Sequence, residues 1–217
     1  MAQVNDTYQT IQGEAKAQFT EQRSRFISFA WHVTDVEQVK ELVAALQKEY
    51  YDARHVCYAY MLGPERLEWR ANDNGEPSGT AGKPILGQIN SAGLTDILIC
   101  VVRYFGGVKL GTSGLIEAYR KAAHDAIAAA AVVTRYIEGQ VEVLFSYAMM
   151  NDLMRIVKDM EPRIIEQEYG AFTSDLSDRT FDCRMLLGIR LSQVQPLVDR
   201  IHDAVKTQPV PEMICAQ

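Results

Sequence analysis

Apolar residues change period several times along the chain, and each change marks an element. From Ala17 to Val33 the run holds Phe19, Phe26, Ile27, Phe29 and Trp31 without helical spacing. That predicts extended chain, broken by a turn at Gln22-Arg23-Ser24. The polar residues 1–15 ahead of it read as frayed chain or a short edge strand. At Thr34 the period becomes helical: Val36, Val39, Leu42, Val43 and Leu46 share one face, and Thr34 with Glu37 fits a capping box. His55 to Leu62 and Leu67 to Ala71 return to strand patterning around a Gly63-Pro64 turn. Asn72 to Gly82 reads as loop, followed by a short helix from Pro84 to Asn90 with the proline in its first turn. The continuous apolar run Ile97 to Val102 predicts a strand buried on both faces. Four glycines then crowd into nine residues, and Leu115, Tyr119, Ala122, Ala123, Ala126, Ile127 and Ala130 form the stripe of a long helix. Its alanines allow a close approach to a sheet.

Around Thr134 the pattern resets. Ile137 to Phe145 alternates as a half-buried strand, Asn151 to Met160 is helical, and Arg163 to Tyr169 and Thr180 to Ile189 are strands. Gln193 to Val205 is helical, and Val210 to Ile214 forms a last strand. The order βαββαβ is that of a ferredoxin-like split βαβ module. An α+β chain of two domains is therefore expected, 1–134 and 135–217.

Composition narrows the partners. The 217 residues are 47% hydrophobic and 23% charged, an ordinary globular balance with room for one large or two small domains. The net charge is −6, which argues against duplex DNA as a partner. Both halves are acidic, with 13 Lys and Arg against 15 Asp and Glu in the first, and 9 against 13 in the second. Cys57, Cys100, Cys183 and Cys215 are far apart, make no Cys-x-x-Cys pair, and read as reduced packing residues. The N-terminus has no apolar signal core, and no stretch approaches the roughly 20 apolar residues of a membrane span. A cytoplasmic protein without membrane contact is expected.

Two segments carry candidate chemistry. In Arg103-Tyr104-Phe105-Gly106-Gly107-Val108-Lys109-Leu110-Gly111-Thr112-Ser113-Gly114 a buried strand runs through glycines into a helix start. Helix N-termini leave unpaired N–H groups and a partial positive charge. Glycines let backbone approach a ligand, Thr112 and Ser113 add hydroxyls, and Lys109 and Arg103 add charge, a set that suits phosphate or carboxylate. It is not a P-loop, because Thr112-Ser113 stands where Lys-Ser/Thr is required. The second segment, Asp73-Asn74-Gly75-Glu76-Pro77-Ser78-Gly79-Thr80-Ala81-Gly82-Lys83, is a longer and more polar connection than a simple turn needs. Asp73, Glu76, Ser78, Thr80 and Lys83 join the candidate ligand site, together with Arg103, Lys109, Gly111, Thr112, Ser113 and Gly114. The plain alternative for both segments is tight turns with helix-capping residues. No metal set and no cofactor fingerprint is present. His55 and Cys57 share one strand face without the orientation of a nucleophile pair, so His55 reads as a half-buried strand residue.

These residues are those by which the chain resembles the YigZ/Impact family. The likeness rests on His55-x-Cys57-x-Ala59-Tyr60, on Asp73 to Pro84, and on Val101 through Gly107 with Leu110-Gly111-Thr112-x-Gly114-Leu115 and Tyr119. It covers residues 17–130 strongly and the remainder only in element order. One departure is that the family usually has Asp-Asp-Gly-Glu-Pro, and here Asn74 takes the second position. The resemblance implies an N-terminal domain like the second domain of ribosomal protein S-five and a ferredoxin-like C-terminal domain of the bacterial two-domain type. It also implies a regulator of translation that binds ribosome, RNA or a translation-associated protein, with Arg120, Lys121 and the glycine-loop cations meeting phosphates and Tyr104 or Phe105 stacking a base. The competing expectation is an enzyme for a small phosphorylated or nucleotide-like ligand, with Asp73 or Glu76 as general base and Lys83 as electrostatic stabiliser.

Overall fold

The computed structural model describes residues 6–173 and 179–204 and the backbone of 212–216. Among them are five α-helices and three sheets, and the chain divides into two compact units. One is Tyr8–Arg135; the other is Tyr136–Gln217 with the short segment ahead of Tyr8.

The larger unit is built on a five-stranded antiparallel sheet. Its strands are β2 (Glu14–Glu21), β3 (Ser24–His32), β4 (His55–Leu62), β5 (Glu68–Asn72) and β6 (Ile97–Tyr104), in the order β2-β3-β6-β4-β5. Helix α1 (Val36–Glu49) connects β3 to β4, α2 (Gly82–Ser91) connects β5 to β6, and α3 (Gly111–Ala129) follows β6. Alternation along the strands supplies two cores. Leu98, Cys100 and Val102 of β6 join Ile27, Phe29, Val56 and Leu62 against Val39, Val43 and Leu46 of α1. Ile97, Ile99 and Val101 point the other way, with Phe26, Ala30, Cys57, Ala59 and Met61, onto α2 and α3. Strand β6 is thus buried on both faces as its sequence predicts, but as the centre of an antiparallel sheet covered by helices on each side.

The elements follow local chemistry. The hairpin between β2 and β3 turns on Gln22 and Arg23, both at positive φ (43° and 66°), as a two-residue hairpin of right-handed twist demands. Helix α1 is capped one residue later than expected. Asp35, not Thr34, is the N-cap and accepts from Gln38 N at 2.9 Å, while Glu37 pairs with Lys40 instead of closing a box. The Gln38 side chain reaches back to Thr34, accepting from its N–H at 3.3 Å and donating to its hydroxyl at 3.0 Å. A carboxylate at the cap combines hydrogen bonding with the helix dipole, which is why Asp35 displaces the hydroxyl. On α3, Ala118, Ala122, Ala123 and Ala126 are buried, and the small stripe lets Tyr119 lie fully buried between helix and sheet. Its ring meets Phe26 edge-on, with centroids 5.4 Å apart.

Two strands at the margins of this unit were not legible as a pair. β1 (Thr7–Gln12) and β7 (Ala131–Tyr136) form a two-stranded sheet. Strand β7 is almost wholly exposed, so its sequence carries no inward alternation.

In the second unit β8 (Glu138–Phe145), α4 (Met150–Met160), β9 (Arg163–Thr173), β10 (Thr180–Arg190), α5 (Leu191–Ala204) and β11 (Glu212–Ala216) follow in the expected βαββαβ order. Here the sheet order is β11-β8-β10-β9, antiparallel throughout. Val141, Val143 and Phe145 of β8 and Cys183, Met185 and Leu187 of β10 pack on Leu153, Ile156 and Val157 of α4 and on Leu197 and Ile201 of α5. The residue Val210, placed in the last strand by sequence, lies outside the described residues.

Candidate functional site

The two polar segments meet. Glu76 and Pro77 of the 73–81 loop and Lys109, Gly111 and Thr112 at the start of α3 line one cleft of about 380 Å³ in the larger unit. Arg103 and His55 from the sheet complete its wall, Arg54 stands at its edge, and the half-exposed Phe105 ring flanks it. A second hollow of about 300 Å³ lies against α1 on the other sheet face and is lined by none of the residues proposed from sequence.

The centre of the wall is a buried ion pair. Arg103 Nη1 donates to Glu76 Oε1 at 2.7 Å, and the two side chains are 7% and 3% exposed. Tyr119 Oη donates to the same carboxylate oxygen at 2.8 Å. Cys57 Sγ lies 3.4 Å from Tyr119 Oη and donates to the Asp73 carbonyl at 2.9 Å. Burial holds the Tyr119 hydroxyl well above the usual tyrosine range and pushes the Cys57 thiol up to about 12. Both act as hydrogen-bond donors here, and burial disfavours the Cys57 thiolate. Arg103 also reaches Ser24 Oγ at 3.4 Å, and its Nε has no partner. A buried N–H left unpaired costs about 1–3 kcal/mol. Here it is the residual cost of holding a guanidinium inside the wall.

Asp73 is engaged by the backbone of its own loop. Its Oδ1 accepts from Ala81 N (2.9 Å) and Gly82 N (2.8 Å), and its Oδ2 from Gly79 N (2.8 Å). Burial favours the neutral acid, but the amides of Gly79, Gly82 and Ala81 with nearby Lys83 outweigh it and hold the carboxyl below the usual range. Asp73 therefore folds the loop and satisfies the start of α2. The side chain of Thr80 is likewise spent, donating to the Pro77 carbonyl at 2.7 Å. Ser78 and Lys83 are exposed and do not line the cleft. Asp73 is thus held by three amides and Glu76 by Arg103 and Tyr119.

The start of α3 is open at its first turn. Its cap position, Leu110, makes no side-chain hydrogen bond, and the N–H groups of Gly111, Thr112 and Ser113 have no partner outside the helix among the described residues. All three residues are exposed. Gly111 enters the helix at φ +72°, a conformation only glycine adopts without strain. Ser113 and Gly114 belong to the first turn but do not line the cleft. Arg54 and Lys109 are exposed and have no acidic partner among the described residues, whereas Arg120 pairs with Glu117 and Lys121 with Asp125. Tyr104 is engaged by Asp52 through its hydroxyl at 2.6 Å, with Arg25 over its ring, and Phe105, half-exposed at the cleft, has the Arg103 guanidinium 5.7 Å from its ring centroid.

Arg54 and His55 were not proposed as site residues. The strand pattern identifies His55 as half-buried but cannot say that Arg103, its cross-strand partner, walls a cleft. The departure at Asn74 also finds its structural use: Asn74 Nδ2 donates to the Val56 carbonyl at 2.9 Å, a bond an ionised Asp could not make.

Such an arrangement defines a two-unit α+β protein whose larger unit carries a cation-edged cleft at a glycine-opened helix. This chain belongs to the IMPACT family. The Impact N-terminal domain matches residues 22–127. The IMPACT family member YigZ of Escherichia coli is 34% identical over 152 residues, 69% of this chain and 74% of the relative. Bacillus subtilis YvyE is 31% identical over 164 residues, covering 76% of each chain. Among solved structures, a crystal structure of a hypothetical protein superposes with a TM-score of 0.75 over 99% of both chains at 25% identity. The two-domain translational regulator Yih1 gives a TM-score of 0.38 at 22% identity, over 60% of this chain and 52% of that one, a distant likeness that carries no argument by itself.

Proposed function

We propose that this protein regulates translation in the cytoplasm by binding RNA, on the ribosome or in a translation complex, at the cleft where α3 begins. One observation carries the reading. The first-turn amides of α3 stand unpaired beside Arg54 and Lys109, while Glu76, the acid in the wall, is already neutralised by Arg103. The cleft is therefore locally cationic within an acidic chain, which favours a phosphate group over a general affinity for polyanions. Phe105 offers a face on which a base can stack.

Family kinship supports the translational setting. We further propose that residues 1–134 form a domain of the type of the second domain of ribosomal protein S-five, and residues 135–217 a ferredoxin-like domain. The βαββαβ order with sheet order β11-β8-β10-β9 favours the latter.

Co-sedimentation with ribosomes and with single-stranded RNA at two salt concentrations tests the binding role. The Arg54→Ala/Lys109→Ala double variant should weaken binding and flatten the dependence of log affinity on log salt by about 1.4, two phosphate contacts' worth. No association of the unaltered protein at low salt would refute the proposal, as would an unchanged salt slope in the variant.

A further inference from the structure

We infer that the cleft selects a phosphate monoester, the 5′-phosphate end of an RNA strand, and that His55 makes the selection. The inference rests on the RNA-binding reading of the same cleft. His55 opens β4 directly opposite Arg103 in the β4–β6 register. Its Nδ1 lies 2.8 Å from the Asn74 carbonyl oxygen. A carbonyl only accepts, so Nδ1 carries a proton, and in the neutral ring the lone pair sits on Nε2. The Nδ1–Cε1 edge faces the turn: a Cβ at Gly75 would lie 3.4 Å from Nδ1 and 3.5 Å from Cε1. Gly75 itself sits at φ +83°, so the turn that orients the ring needs a glycine there. The ring lines the cleft, and Nε2 has no partner among the described residues.

The geometry makes His55 a conditional donor. A neutral ring turns the Nε2 lone pair toward the guest and repels an anionic oxygen; a protonated ring donates to it. The charged and titratable groups around the ring are Arg54 just ahead of β4, Cys57 on that strand, Asp73 and Glu76 of the adjoining loop, Arg103 of β6, Lys109 ahead of α3, and Tyr119 of α3. Cys57 and Tyr119 are neutral donors, Asp73 is held by three amides, and Glu76 is paired with Arg103. An incoming anion on Nε2 favours the protonated ring. Binding is therefore coupled to proton uptake.

Three sets of donors then converge on one guest: the α3 amides, the Arg54 and Lys109 side chains, and His55 Nε2. A terminal phosphate offers three acceptor oxygens and up to two negative charges, whereas a backbone diester offers two free oxygens and one charge. Arg103, its charge matched by Glu76, adds no net charge to the wall. A cleft of about 380 Å³ has room for the terminal nucleotide of a strand.

Calorimetric titration decides the matter. The ligands are a short RNA with a 5′-phosphate, the same RNA with a 5′-hydroxyl, and a nucleoside 5′-monophosphate. Each is titrated in two buffers of different ionisation enthalpy near pH 7.5, where the monoester is already mostly dianionic. The protein should prefer the phosphorylated strand by about tenfold, one charge-assisted hydrogen bond's worth, and take up a proton on binding it. The His55→Gln variant, whose amide can still donate to the Asn74 carbonyl, should bind the two strands equally and without proton uptake. An unaltered preference and proton uptake in that variant overturns the inference. Equal binding of both strands by the unaltered protein overturns the inference and leaves the RNA-binding reading intact; no binding of either strand overturns both. If the monophosphate binds as tightly as the phosphorylated strand, monoester selection stands and RNA as its source is refuted.

Discussion

Removing the charge of Glu76 is the most demanding test of how the cleft wall is built. At 2.7 Å the Arg103–Glu76 attraction is about 6 kcal/mol at an effective dielectric constant of about 20. Desolvating the two ions costs several kcal/mol each, so the intact pair contributes little net stability. Glu76→Gln keeps the shape and an acceptor for Tyr119 but leaves the Arg103 guanidinium buried without a counter-charge. A loss of about 3–5 kcal/mol follows. The double variant Glu76→Gln/Arg103→Met should regain most of it, because the uncompensated charge is gone. Urea unfolding followed by tryptophan fluorescence suits the measurement, since Trp31 and Trp69 both lie in the Tyr8–Arg135 unit and report on that unit alone. The exposed Lys40–Glu37 pair is the internal control; its side chains are 65% and 75% exposed, and breaking it should cost about 0–1 kcal/mol. A Glu76→Gln loss as small as that control, or a double variant no more stable than the single one, would refute the desolvation argument.

Two other predictions concern the loops that frame the cleft. Asp73→Asn should cost about 1–2 kcal/mol at neutral pH, a lost cap and charge together. Because the folded-state pKa of Asp73 is depressed, its contribution is present above the unfolded value of about 3.9 and lost as pH falls through the lower folded value. Urea midpoints taken from neutral pH downward should therefore converge for the unaltered protein and Asp73→Asn below about pH 4, and a gap that persists in acid would contradict the assignment. Gly106→Ala places a Cβ 2.0 Å from the backbone carbon and oxygen of Arg23, so the β2–β3 turn must move, at about 1–3 kcal/mol or more. A thermal melt unchanged from that of the unaltered protein would show that the turn and the glycine loop do not pack as described.

Residue order alone determined most of the elements. Helical spacing from Val36 to Leu46 and along the alanine stripe of α3, and the unbroken apolar run of β6, are strong periodic signals created by one-sided or two-sided burial. The βαββαβ order of the second unit was legible for the same reason. Glycine crowding likewise marked the start of α3, because few other residues tolerate φ values such as that of Gly111. What tertiary structure alone decided was which polar groups remain free. Asp73 and Glu76 look equivalent in sequence, three residues apart in one loop. Yet one folds the loop through three amides and the other neutralises an arginine 27 residues away. Arg54 and His55 gained a site only when β4 paired with β6. Periodicity reports burial, which is a property of single positions along an element. Hydrogen-bond and charge partnership is a property of pairs distant in the chain, and only the folded sheet brings those pairs together.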